Sequence, residues 1–144
     1  MAYLLPIILT ENRGTFIERK RGAMDVLVVE SDVSIRSATS ELIKGWGYGV
    51  EASGTARDTL QKASKKAFDL VLLDISLPGM SAKELIGELK KLWPEIGVVT
   101  MTEHSTDELE KEIRTLGIIY YMSKPVNQKA LKEILDHISR KKDR

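Results

Sequence analysis

From Met24 onward, five short apolar runs alternate with amphipathic stretches. Val26-Leu27-Val28-Val29 is the first run and Leu70-Val71-Leu72-Leu73, ending on Asp74, is the third. Unbroken runs of this length, bounded by polar or turn residues, predict strands buried on both faces. Tyr48-Gly49-Val50-Glu51-Ala52 is weaker and predicts an edge strand. Residues 96–101 and 118–122 supply the fourth and fifth strands.

The intervening stretches carry helical spacing. Ile35, Ala38, Leu42 and Ile43 mark one helix face that stops at Gly45 and Gly47. Thr55 caps a second helix ending in Lys65-Lys66, and Ser81 caps a third that breaks before Pro94. Ser105 or Thr106 caps a fourth, with Asp107 and Glu108 in its first turn as the macrodipole favours. A fifth runs from about Asn127 to Lys141, with Leu131, Ile134, Leu135 and Ile138 inward. Five strands alternating with five helices predict a doubly wound α/β fold with a parallel sheet. The size predicts a flavodoxin-like (βα)5 arrangement, strand order 2-1-3-4-5, with its crevice between the first and third strands.

Composition narrows the function classes. The 144 residues carry a formal net charge of +1, which suggests neither nucleic acid nor an anionic membrane as a bulk partner. The absence of cysteine removes disulfides and thiolate chemistry. No apolar stretch reaches the ~18–20 residues of a membrane span, so a cytoplasmic location is expected. Residues 1–23 read separately. They are apolar up to Leu9, then polar and basic through Arg19-Lys20-Arg21, without a signal-peptide pattern. They are expected to be an N-terminal extension, a leader or a non-native segment ahead of a domain spanning 24–144. The sharper alternative is an extra strand or docking arm built on residues 4–9.

The chemistry gathers at the carboxyl ends of the strands, where open parallel sheets bind ligands. The first strand delivers Glu30, Ser31 and Asp32, and the third delivers Asp74. The fourth delivers Thr102, Glu103 and His104, and the fifth delivers Ser123-Lys124-Pro125. A carboxylate at such a position is costly to desolvate, which argues for purpose. Clustered carboxylates suit a hard divalent cation such as Mg²⁺. An Asp beside such a cation is a nucleophile towards phosphorus, and a lysine neutralises charge on the transferring group.

On the segments VLVVESD, FDLVLLDISLPGM, VVTMTE and YYMSKP, in that order, residues 24 to about 142 resemble a receiver domain of two-component response regulators (CheY-like). The resemblance implies that Asp74 is the phosphoacceptor, Thr102 the switch hydroxyl, Lys124 the phosphoryl-binding lysine and Tyr121 a rotating aromatic. It implies Mg²⁺ held by Glu30, Asp32, Asp74 and the carbonyl of Ser76, and a cis Lys124-Pro125 bond. It implies phosphorylation by a sensor histidine kinase or phosphotransfer protein. Output would pass to a downstream protein through the face of the fourth helix, fifth strand and fifth helix, which is also a candidate homodimer face. No output domain follows the last helix, so a stand-alone module or a fragment of a longer regulator is expected. Catalysis would be limited to the module's own phosphorylation and dephosphorylation.

Two departures weigh against a fully active site. Ser31 falls where the family has its direct metal-ligating acid, which implies weakened Mg²⁺ binding unless Glu30 or Asp32 compensates. Glu103 stands where a small residue is usual, and must turn outward or repel an incoming phosphoryl group. With His104 it is expected to tune the reaction, the plainer reading of His104 being a solvated loop residue. The alternative is a pseudo-receiver, a scaffold that binds partners without phosphorylation. A small Asp-nucleophile phosphatase would want an acid two residues after the nucleophile, and that position is Ser76. A nucleotide- or flavin-binding protein would want a glycine-rich loop after the first strand, and none is there.

Overall fold

The computed structural model of the chain describes residues 7–9, 16–18 and 24–142. Strands β1 (Ile7–Leu9) and β2 (Phe16–Glu18) pair antiparallel as a two-stranded sheet separate from the main one. The other expectations for residues 1–23 fall outside the described residues.

The main sheet comprises β3 (Asp25–Val29), β4 (Gly49–Ser53), β5 (Leu70–Asp74), β6 (Gly97–Thr102) and β7 (Tyr120–Ser123). Its order is β4-β3-β5-β6-β7, all parallel, which is the expected 2-1-3-4-5. Helices α1 (Val33–Gly45), α2 (Ala56–Lys65), α3 (Ala82–Leu92), α4 (Asp107–Arg114) and α5 (Gln128–Lys142) connect and follow the strands.

The alternation of side chains explains the unbroken apolar runs. Leu27, Val29, Val71, Leu73 and Val98 face one way and pack with Leu85, Ile86 and Leu89 of α3 and Ala56 and Ala63 of α2. Val26, Val28, Leu70, Leu72, Val99 and Met101 face the other way and pack with Ile43 of α1 and Leu131 and Leu135 of α5. Each fully buried Leu or Val stabilises by about 1.5–3 kcal/mol, so both layers are needed to fix the sheet. β5 is central and buried at every position, which is why its terminal Asp74 is enclosed by neighbouring strand ends.

Side-chain caps set the helix starts. Thr55, Ser81 and Thr106 accept from the amides of Asp58, Glu84 and Leu109. Of the two candidates for α4, Thr106 is the cap. Asp32 caps α1 by accepting from the amide of Ile35 at 2.9 Å, a role the periodicity did not reveal.

Two expectations shift. The last strand begins at Tyr120 rather than Ile118: ladder pairing with β6 starts where Val99 meets Tyr120, and before it the Ile119 amide donates to the Val98 carbonyl at 2.7 Å. On α1 the expected face divides: Ile43 is buried with Ser40, whereas Ile35 and Ala38 border an open groove of about 530 Å³. Pro125, Val126 and Leu131 line the same groove, so those two apolar residues face it and stay exposed rather than packing on the sheet.

Candidate functional site

Register brings the expected residues together. Val29 pairs with Leu73, so Glu30 and Asp74 follow at the same level of adjacent strands. Thr102 pairs with Ser123, so Lys124 leaves β7 one residue beyond the switch-position hydroxyl. The Lys124 amide donates to the Thr102 carbonyl at 2.8 Å, and the Lys124–Pro125 bond is cis.

Three charged side chains meet in the crevice. Lys124 Nζ lies 2.5 Å from Glu30 Oε1 and 3.2 Å from Asp74 Oδ2. All three are buried: the Lys124 side chain is 7% exposed, that of Glu30 2% and that of Asp74 5%. Burial opposes charge on Lys124, but its bonds to Glu30 and the nearby Asp74 outweigh that and hold the ammonium above its ordinary pKa. The lysine therefore stays charged at neutral pH.

The remaining carboxylate oxygens also have partners. Glu30 Oε2 accepts from the Asp32 amide at 3.0 Å, and Asp74 Oδ1 accepts from the Ser76 amide at 2.9 Å. Asp32 is exposed and turned to its helix cap. The oxygens have the hardness Mg²⁺ prefers. Their placement fits it poorly: the Lys124 ammonium already bonds both carboxylates, their other oxygens hold the amides of Asp32 and Ser76, and the Asp32 carboxylate is turned to its helix cap. Ser31 contributes an exposed hydroxyl at the position where a metal-ligating acid is expected.

The rim holds the other candidates. Thr102 is buried, and its Oγ1 accepts from the His104 amide at 3.2 Å. The Glu103 side chain turns outward, 59% exposed, with Oε1 still 4.0 Å from Lys124 Nζ. His104 and Ser76 are exposed. A cleft of about 330 Å³ between the residues after β5 and α4 has Ser76, Thr102 and His104 on its wall. Tyr121 lies away from the charged triad, inward on β7 and 7% exposed.

Two contacts escaped the sequence. Arg36, one turn into α1, donates through Nη1 to the carbonyls of Glu30 at 2.7 Å and Ser31 at 3.3 Å, fixing the backbone of the acidic loop. Its position four residues after the cap Asp32 was the available signal. Ser105 bonds the Tyr121 hydroxyl at 2.8 Å, a long-range pair that no local pattern announces.

Comparison with known proteins bears on the family and the fold. Residues 26–136 match the family model described as response regulator receiver domain. The transcriptional regulatory protein ZraR of Salmonella typhimurium is 36% identical over 116 residues, a match covering 81% of this chain and 26% of that protein. The chain thus spans about a quarter of the length of that relative. Sporulation initiation phosphotransferase F of Bacillus subtilis is 28% identical, covering 80% of this chain and 90% of that one. A CheY-like receiver domain protein from Methanospirillum hungatei superposes with a TM-score of 0.78 at 30% identity, covering 84% of this chain and 97% of that one.

Proposed function

The chain belongs to the response regulator receiver domain family, and from that premise we propose that it accepts a phosphoryl group on Asp74 and signals by protein contact. Receiver domains are phosphoacceptors that work with histidine kinases or phosphotransfer proteins. The observation that carries the reading is the buried Asp74 carboxylate 3.2 Å from the Lys124 ammonium, at the carboxyl end of the central strand.

An Asp74 oxygen attacks the phosphorus of a phosphohistidine. The P–O bond forms as the P–N bond breaks, and the imidazole nitrogen leaves with the electron pair. The product is an acyl phosphate. Lys124, held charged by its carboxylate partners, neutralises the equatorial oxygens, and the Thr102 hydroxyl donates to one of them. Mg²⁺ binding is general among receiver domains. The poor fit of this donor set assigns the main counter-charge here to Lys124.

Output is assigned to the α4–β7–α5 face. Ile119 and Tyr120 are 46% and 43% exposed there, beside Ile134 and Ile138 of α5, which favours a protein partner or a second copy. No described helix is long and apolar enough to cross a membrane, and a cytoplasmic location is part of the proposal. So is the reading of residues 1–23 as an N-terminal extension.

The pseudo-receiver reading is favoured by one observation: Ser31 offers only an exposed hydroxyl and Asp32 is turned to its helix cap, so the acids after β3 leave Glu30 as the one carboxylate in the crevice. Incubation with acetyl phosphate followed by intact-mass measurement separates the two. Gain of one phosphoryl group, absent in Asp74→Asn, supports the acceptor. No gain at saturating donor supports the scaffold.

A further inference from the structure

We infer that Ser105 is the positioning residue that latches the Tyr121 ring inward, joining the loop after Thr102 to the β7 face. Adjacent tyrosines on β7 behave differently: Tyr120 is 43% exposed and Tyr121 only 7%. Strand alternation alone turns Tyr121 inward, but its polar hydroxyl then needs a partner. Ser105 Oγ supplies it at 2.8 Å. A second contact holds the ring face, the Arg114 guanidinium carbon lying 5.7 Å from the ring centroid. Arg114 also bonds Glu110 at 2.7 Å, so its hold on the ring is shared, whereas the hydroxyl bond aims at Tyr121 alone.

The position of Ser105 gives the latch its significance. It lies three residues after Thr102, in the four-residue connection between β6 and α4. One end of that connection is tied by the bond from the His104 amide to Thr102 Oγ1, and the other by the Thr106 cap of α4. Ser105 thus sits on a short, tied segment between the Thr102 hydroxyl and the aromatic facing α4. A displacement of either end has Ser105 as its direct contact with the ring. Coupling requires a physical element with two arrangements, and a single neutral hydrogen bond on an exposed loop is weak enough to open and close. The proposal concerns the resting protein and does not depend on Asp74 accepting phosphate.

The test is ¹⁹F NMR of the full chain labelled with 3-fluorotyrosine, with Tyr121→Phe assigning the Tyr121 signal. Ser105→Ala is expected to shift the latched-to-open ratio of the ring by about three- to tenfold, the size of one neutral hydrogen bond. The Tyr121 signal would move towards that of an exposed tyrosine and gain solvent accessibility. Ser105→Thr, which keeps the hydroxyl, is expected to retain the wild-type signal. A Tyr121 signal unchanged by Ser105→Ala, or shifted equally by Ser105→Thr, would overturn the assignment. Both variants replace an exposed residue, and the measurement uses unphosphorylated protein, so a failure here is distinct from a failure of Asp74 to accept phosphate.

Discussion

Lys124 Nζ is closer to Glu30 Oε1, at 2.5 Å, than to the candidate acceptor Asp74, at 3.2 Å. The lysine is therefore anchored by Glu30 and shared with Asp74. Loss of the ammonium leaves two buried carboxylates facing each other across adjacent strand ends. Removing one partner of a buried ion pair costs about 3–5 kcal/mol. Lys124→Met is accordingly expected to lower unfolding free energy by that order at neutral pH, read from urea denaturation. Glu30→Gln, which removes one of the two carboxylates, should recover part of the loss when combined with it.

Alkali should weaken the fold through two groups. Tyr48 donates to Asp136 Oδ1 at 2.5 Å, and burial first, then Asp136, raises its pKa from 10.0 to about 12. The folded state thus holds this proton more tightly than the unfolded state. Its contribution is complete below pH 10 and is lost as pH rises towards 12. Lys124 has the same sign: its folded pKa lies above the ordinary 10.5, so its contribution is complete below that pH and is lost as pH rises through the folded value. Denaturation midpoints measured from pH 8 upward should hold steady and then fall above pH 10. Tyr48→Phe should be less stable at pH 8 by about 1.5–3 kcal/mol, the value of a hydrogen bond to a charged group, and should show a shallower alkaline fall.

Ser31 should limit Mg²⁺ affinity. Ser31→Asp adds a carboxylate next to Glu30 in the loop after β3. Isothermal titration of Mg²⁺ should give binding at least about tenfold tighter in the variant than in the wild type, or about 1.4 kcal/mol. Equal affinities would show that Ser31 is not what limits the site.

Glu103 should act as a weak electrostatic gate. Its carboxylate lies 4.0 Å from Lys124 but is 59% exposed, so solvent discounts its effect to about 1 kcal/mol or less. Glu103→Ala should speed phosphorylation by acetyl phosphate up to about fivefold at low salt. The gain should shrink as ionic strength rises, as for any exposed charge.

Much of the fold was legible in the chain. The runs at Val26–Val29 and Leu70–Leu73 announce strands buried on both faces, and their carboxyl ends predict where Glu30 and Asp74 meet. Thr55 and Ser81 were readable as caps because the capping bond is local. Long-range pairs were not readable: Ser105 with Tyr121 and Tyr48 with Asp136 join residues 16 and 88 positions apart, and nothing in either neighbourhood specifies the other. Asp32 had two competing uses, and the local cap of α1 has its carboxylate. The start of β7 was not legible because Ile118 and Ile119 are as apolar and β-branched as a strand residue, while the ladder to β6 begins only at Tyr120.

The central claim is that Asp74 is the acceptor. The most direct test is to treat the protein with acetyl phosphate, reduce it with borohydride, which converts an acyl phosphate to an alcohol, and sequence the peptides by tandem mass spectrometry. The account predicts reduction at Asp74 alone, lost when acetyl phosphate is omitted and in Lys124→Met. Reduction at Glu30 or Asp32 instead, or at no residue under saturating donor, would contradict it.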